Sequence, residues 1–234
     1  MKTRVAERDE LLGLAAEQLC AAFSRKPDAS AALSAHPDCL ALYERFSEEA
    51  RQKELDLSRA RFFLAAEFEG LPPDDPHSCR ERLSSAFFDP CGIRREQVFF
   101  LSADNADRCD AALDAVGRLD LAVLGVGERG RIGFNEPGTP FLSRTHRQKL
   151  TKATKRELAE AFGSEELVPD FGWTLGVKTL TEAREILVIA LGENRADPVF
   201  RMLYARDDSY VPAAFLQLPA DVAVYLDTEA ANKL

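Results

Sequence analysis

Leu119-Asp-Leu-Ala-Val-Leu124 runs straight into Gly125-Val-Gly-Glu-Arg-Gly-Arg-Ile-Gly-Phe-Asn-Glu-Pro-Gly138. A short apolar run of this kind reads as a strand buried on both faces. A glycine-rich segment leaving the carboxyl end of such a strand is where open α/β sheets place ligands. Gly125-x-Gly127-x-x-Gly130 also matches the dinucleotide fingerprint in form. That fingerprint needs a helix directly behind it, so that pyrophosphate meets the helix N-terminus. Here Gly133, Pro137, Gly138 and Pro140 follow, and they do not extend a helix. A nucleotide cofactor is therefore not expected.

The same alternation extends outward in both directions. Helical spacing of apolar residues predicts helices over 6–25, 38–54 (with Asp38 as N-cap), 77–88, 105–116, 147–162, 179–184, 195–204 and 211–218. Apolar segments predict strands over 29–33, 61–66, 98–101, 119–124, 172–175, 185–191 and 222–226. Strands alternating with helices imply a three-layer αβα sandwich around a mostly parallel, Rossmann-like sheet. No composition break divides the 234 residues, so one domain is expected.

Composition narrows the function classes. The net charge of −9 argues against nucleic-acid binding, which needs a basic face. No apolar run reaches membrane-spanning length, and the charged first ten residues do not read as a secretory signal. The five cysteines are scattered, as expected of reduced thiols in a cytoplasmic protein. Three dispersed histidines do not make a metal cluster, so no metal and no cofactor is expected. His36 and His77 sit in polar surroundings and read as solvated loop or helix-entry residues.

The longer pattern Leu-Gly-Val-Gly-x-x-Gly-x-Ile-Gly-Phe-Asn-Glu-Pro-Gly over 124–138 resembles the active-site loop of the glucosamine-6-phosphate deaminase/isomerase family. Other segments agree in order and spacing. They are Glu67-Phe-Glu-Gly-Leu71, Ser143-Arg-Thr145, Val168-Pro-x-x-x-x-Thr174-x-Gly176-x-x-Thr179, Ala190-Leu-Gly-x-x-x-Ala196, and Leu216-Gln217 through Asp227. The resemblance implies the fold just derived and a homo-oligomer. It also implies a chemistry in which a carboxylate shuttles a proton between two sugar carbons and a histidine assists ring opening.

This chain departs from that pattern where the chemistry resides. Ala66 stands at the position of the shuttle aspartate, Arg131 at that of the loop histidine, and Arg129 at that of the acidic residue two places earlier. Pro219 replaces a late histidine, Glu160 a basic phosphate partner, and Ser34-Ala-His-Pro-Asp38 a Thr/Gly-rich phosphate loop. Glu136 matches the loop glutamate, and Arg195 stands where the family has a phosphate-binding lysine. Lys178 replaces a glycine and brings charge near the expected pocket.

The expected reading is a divergent member without normal deaminase activity, its cleft kept for a sugar phosphate or other small anion. Ligand contacts are expected from Arg129, Arg131, Arg195, Lys178, Gly125, Gly127 and Asn135. Two alternatives stay open. One is an active isomerase or lactonase using Glu136 or Glu67; the other is a regulatory partner of an active paralogue. Arg129 and Arg131 either form an anion site or pair with Glu128, Glu136 or Glu67. The pair Arg131–Glu136 is favoured, because a buried arginine needs a counter-charge.

Overall fold

The structure is a computed structural model that describes residues 1–205, 210–219 and 221–234. Its strands are β1 (Lys2–Ala6), β2 (Ser30–Leu33), β3 (Arg61–Leu64), β4 (Ala66–Phe68), β5 (Val98–Phe99), β6 (Leu121–Gly125), β7 (His146–Lys149), β8 (Phe171–Thr174), β9 (Glu185–Ala190) and β10 (Val222–Asp227). Its α-helices are α1 (Arg8–Arg25), α2 (Pro37–Gln52), α3 (Cys79–Leu83), α4 (Ala106–Val116), α5 (Lys152–Phe162), α6 (Val177–Thr181) and α7 (Ala196–Tyr204).

Seven strands form one sheet in the order β1-β10-β9-β6-β2-β3-β5, every neighbouring pair parallel. The period-2 alternation of a strand sends successive side chains to opposite faces. In β10, Ala223 and Tyr225 therefore join the core beneath α1 and α2, while Val222, Val224 and Leu226 join the core beneath α4 and α7. Both faces are covered, which is why the central strands are apolar throughout. The αβα layering read from the sequence is what the chain adopts.

The differences from expectation lie at element ends, in the strands β1 and β7, and in a second small sheet. The predicted strand over 61–66 stops at Leu64, and Ala66 begins a second sheet, antiparallel, in the order β4-β8-β7. The predicted helix over 147–162 starts only at Lys152, capped by Thr151, whose hydroxyl accepts from Thr154 N at 3.2 Å. Its first residues pair instead as β7, with only alternate side chains half-buried, a pattern without a continuous apolar signal. β1 carries no such signal either: it is a largely exposed edge strand in which Lys2 and Arg4 interrupt any apolar run. The helix expected over 77–88 is α3 followed by a π-helical turn over Ser84–Phe88. Phe87 from that turn packs edge-on to Phe62 at 5.2 Å between centroids, which ties α3 to the sheet.

Candidate functional site

The carboxyl ends of β2, β6 and β9 open onto a cavity of about 610 Å³. The β2–α2 turn supplies Ser34 to Asp38, and α3 supplies Cys79 and Arg82. The loop after β6 supplies Gly125, Arg131, Gly133 and Phe134, and α5 supplies Glu157 and Glu160. The turn after β9 supplies Asn194 and Arg195, and β4 adds Ala66. That turn is set by Asp227 at the end of β10, whose carboxylate accepts from Gly192 N at 2.9–3.0 Å.

Glu157 is the hub of the cavity wall. Its Oε2 accepts from Arg131 Nη2 at 3.1 Å and its Oε1 from Arg195 Nη1 at 2.8 Å. Asp38 lies 3.6 Å from Arg195 Nε and accepts from Leu191 N at 3.1 Å. The His36 ring sits between the two acids, Nδ1 at 3.6 Å from Asp38 and Nε2 at 4.0 Å from Glu157. All five side chains are largely buried. Burial alone would raise the Glu157 carboxyl, but Arg131, Arg195 and His36 outweigh it and hold the group down at about 2. Burial pushes Asp38 up to about 6 despite Arg195 and the Leu191 amide. Burial, reinforced by Arg195, drives His36 well below the ordinary imidazole range. The neutral ring accepts from Asp38 N at 3.3 Å through Nδ1, which leaves its proton on Nε2.

Three buried polar atoms of this wall have no hydrogen-bond partner among the described residues: His36 Nε2, Arg131 Nε and Arg195 Nε. Such groups are uncommon in folded proteins and mark places where a ligand or water completes the bonding. Arg82, half-buried on the same wall, makes no ion pair among the described residues.

The structure brings Gly125, Ala66, Arg131 and Arg195 together on one cavity wall. It separates the other expected residues from the cavity. Arg131 does not pair with Glu136. It reaches across to α5, and its Nη1 also donates to the Gly133 carbonyl. Glu136 instead accepts from Thr151 N at 3.0 Å and Thr151 Oγ1 at 3.2 Å, bracing the start of α5. Glu67 accepts from the backbone N–H groups of Phe68, Cys79 and Arg80 at 2.8–2.9 Å, so it caps α3 rather than facing a substrate. Burial raises its carboxyl, an effect those three amides oppose.

Arg129 is exposed at φ 59° in the turn Glu128–Gly130, outside the cavity lining. Lys178 lies on α6 beside Glu182 at 3.9 Å, away from the cavity. Pro219 lies in a bend after the 3-10 turn Pro212–Gln217, also away from it. Asn135 is fully buried and donates to Ile132 O at 2.8 Å and Leu175 O at 2.9 Å, holding the loop rather than a ligand. Gly127 does not line the cavity, and an added Cβ there would meet the Arg131 guanidinium at 2.7 Å. Gly125 lines it because the His36 ring lies over its Cα, where a Cβ would come within 2.4 Å.

Three wall residues were not expected. His36, read as solvated, is the buried N-cap of α2, a place expected for Asp38. Glu157 and Arg82 sit on helices whose charged residues look like solvated faces. One signal pointed to Glu157: two arginines at buried positions need a carboxylate, and Thr154, Glu157, Leu158 and Ala161 share one face of α5 at helical spacing.

Comparison with known proteins accords with this geometry. Residues 6–225 match the family of glucosamine-6-phosphate isomerases/6-phosphogluconolactonase. The glucosamine-6-phosphate deaminase of Halalkalibacterium halodurans is 33% identical over 97% of this chain and 94% of its own length. That of Mycolicibacterium smegmatis is 34% identical over 94% and 87%. A solved monomeric glucosamine-6-phosphate deaminase superposes at a TM-score of 0.95 over the whole of both chains, with 29% identity. The 6-phosphogluconolactonase of Thermotoga maritima shares the fold at a TM-score of 0.76 and 17% identity, over 97% of this chain and 98% of that one.

Proposed function

The chain belongs to the glucosamine-6-phosphate isomerase/6-phosphogluconolactonase family, and we propose that it is a single-domain, cytoplasmic member that binds a sugar phosphate or related small anion without deaminating it. The observation that carries this reading is the pair Ala66 and Arg131 on the cavity wall. These are the positions where the resemblance expects the shuttle carboxylate and the ring-opening histidine. Alanine holds no proton, and a guanidinium does not release one at working pH.

In this reading Glu67, Glu136 and Glu157 do not take over. Glu67 and Glu136 are engaged with backbone amides outside the cavity. Glu157 stays ionised between two arginines and is a poor base. This geometry disfavours an isomerase or lactonase built on Glu136 or Glu67. Retained binding is supported by Arg82, whose guanidinium suits a phosphoryl group, and by the three wall atoms without hydrogen bonds among the described residues, which suit hydroxyl oxygens.

The test is thermal stabilisation against hexosamine, hexose and pentose phosphates, alongside an assay for ammonia and fructose 6-phosphate from glucosamine 6-phosphate. A selective shift in melting temperature without turnover is the expected result. Turnover at ordinary enzyme rates, or a flat panel with folded protein, overturns it. Sedimentation equilibrium decides between the homo-oligomer implied by the resemblance and the monomeric state of the solved relative.

A further inference from the structure

Glu157 stands where a bound anion would be expected to stand. Two guanidiniums from different segments, Arg131 and Arg195, converge on its two oxygens at 3.1 and 2.8 Å. Their side chains are 6% and 7% exposed, so water screens neither. Each still has an Nε without a hydrogen bond among the described residues, that of Arg195 lying 3.6 Å from Asp38. Two arginines from separate loops gripping one carboxylate, with donors to spare, is the arrangement that recognises phosphate and carboxylate ligands. Here the protein supplies the anion itself, from the cavity face of α5. Arg82, on the same wall, has no carboxylate partner among the described residues.

We propose that Glu157 is a built-in counter-anion that closes the Arg131–Arg195 anion site, and that the anionic group of a ligand in the wild-type cleft is left to Arg82. The inference rests on the binding reading above and assigns its charge selectivity. A carboxylate tethered at this spot competes with every ligand anion for the same two guanidiniums at no cost in translational freedom. Arg131 and Arg195 therefore serve the fold while Glu157 is present. Removing the negative charge turns them into an open phosphate site.

The experiment is titration of inorganic phosphate and of a hexose phosphate into wild type, Glu157→Gln, Arg82→Gln and the double variant, read by calorimetry and by melting temperature. Wild type is expected to bind phosphate weakly and to lose that binding in Arg82→Gln. Glu157→Gln is expected to bind inorganic phosphate at least about tenfold more tightly, with much of the gain surviving in the double variant. Its melting temperature should climb with phosphate concentration far more steeply than that of wild type.

Glu157→Gln leaves two buried guanidiniums without their shared carboxylate and so risks misfolding. Glu157→Asp keeps the charge but shortens the reach, and an intermediate gain is expected. If Glu157→Gln fails to fold even in phosphate, the aspartate variant decides: a gain supports the proposal and no gain overturns it. No gain in a folded Glu157→Gln overturns it too, as does phosphate binding in wild type that survives Arg82→Gln but is lost in Arg195→Gln. Failure of the binding reading looks different. There, wild type ignores every sugar phosphate, whereas Glu157→Gln can still gain inorganic phosphate.

Discussion

The two halves of the loop after β6 have had different fates. The later half, Ile132 to Thr139, is held from all sides. Asn135 bonds Ile132 and Leu175, Phe134 N donates to Thr174 Oγ1 at 3.1 Å, and Glu136 braces Thr151. The earlier half, Glu128 to Arg131, carries the residues that a proton chemistry would need. There Arg129 is exposed at a positive φ and Arg131 is tied to a carboxylate from another helix. One half is scaffold, with partners on β8 and α5, so each of its residues is constrained by several others. The other half sends only Arg131 to the cavity and leaves Glu128 and Arg129 exposed, so a substitution there is tolerated once a single partner compensates it. The motif that identifies the family is thus the half that says least about catalysis.

Substitutions in the two halves are expected to behave differently. The largest effect belongs to the compensating pair. Glu157→Ala strands two guanidiniums in the cavity wall and should cost about 3–5 kcal/mol in chemical denaturation. Adding Arg131→Met to Glu157→Leu should recover much of that, because an apolar pair can replace a buried ion pair at little cost. Strict additivity of the two substitutions would mean that Arg131 and Glu157 do not compensate each other. The same carboxylate shapes the pH profile. Its folded pKa of about 2 lies below the ordinary 4.5, so its contribution is complete above about pH 4.5 and is lost as pH falls toward 2. Glu157→Gln should flatten that acid limb in melting curves recorded from pH 2 to 6.

In the scaffold half, Asn135→Ala removes a buried amide that donates to two backbone carbonyls. A loss of about 3 kcal/mol is expected in urea unfolding, and no second substitution within the loop should restore it. Glu136→Gln keeps the shape and weakens one brace, for about 1 kcal/mol. Phosphate titrations of that variant should match wild type; a lost response would return Glu136 to the binding site. The smallest effect is at Arg129. Replacing it with glycine relieves a left-handed backbone conformation at an exposed site, so stability should change by no more than about 0.5–1 kcal/mol, in the favourable direction. A large loss there would show that Arg129 has a partner the loop depends on.

Much of this architecture was legible in the residues alone. The apolar runs over 119–124, 185–191 and 222–226 read as strands, because a sheet covered on both faces favours apolar residues throughout, and β6, β9 and β10 differ from them by only a residue or two at the ends. The identifying loop was legible because Gly, Asn and Pro at fixed spacing serve the backbone, and backbone needs are local. On the proposed reading, Ala66 and Arg131 signal lost chemistry, because the capacity to carry a proton is a property of the side chain itself.

Which carboxylate answers which arginine was not legible in this way. Arg131 and Glu136 are five residues apart and looked like partners, yet the turn at Gly133 sends one to the cavity and the other to α5. Glu157 reaches Arg131 and Arg195 only because β6 and β9 lie side by side and α5 crosses beyond their ends. His36 is buried only because the chain reverses into α2 over Gly125. Hydrophobic periodicity is written along the chain, so it specifies strands, helices and layers. Charge pairing depends on distances between segments far apart in sequence, and those distances exist only once the layers have packed.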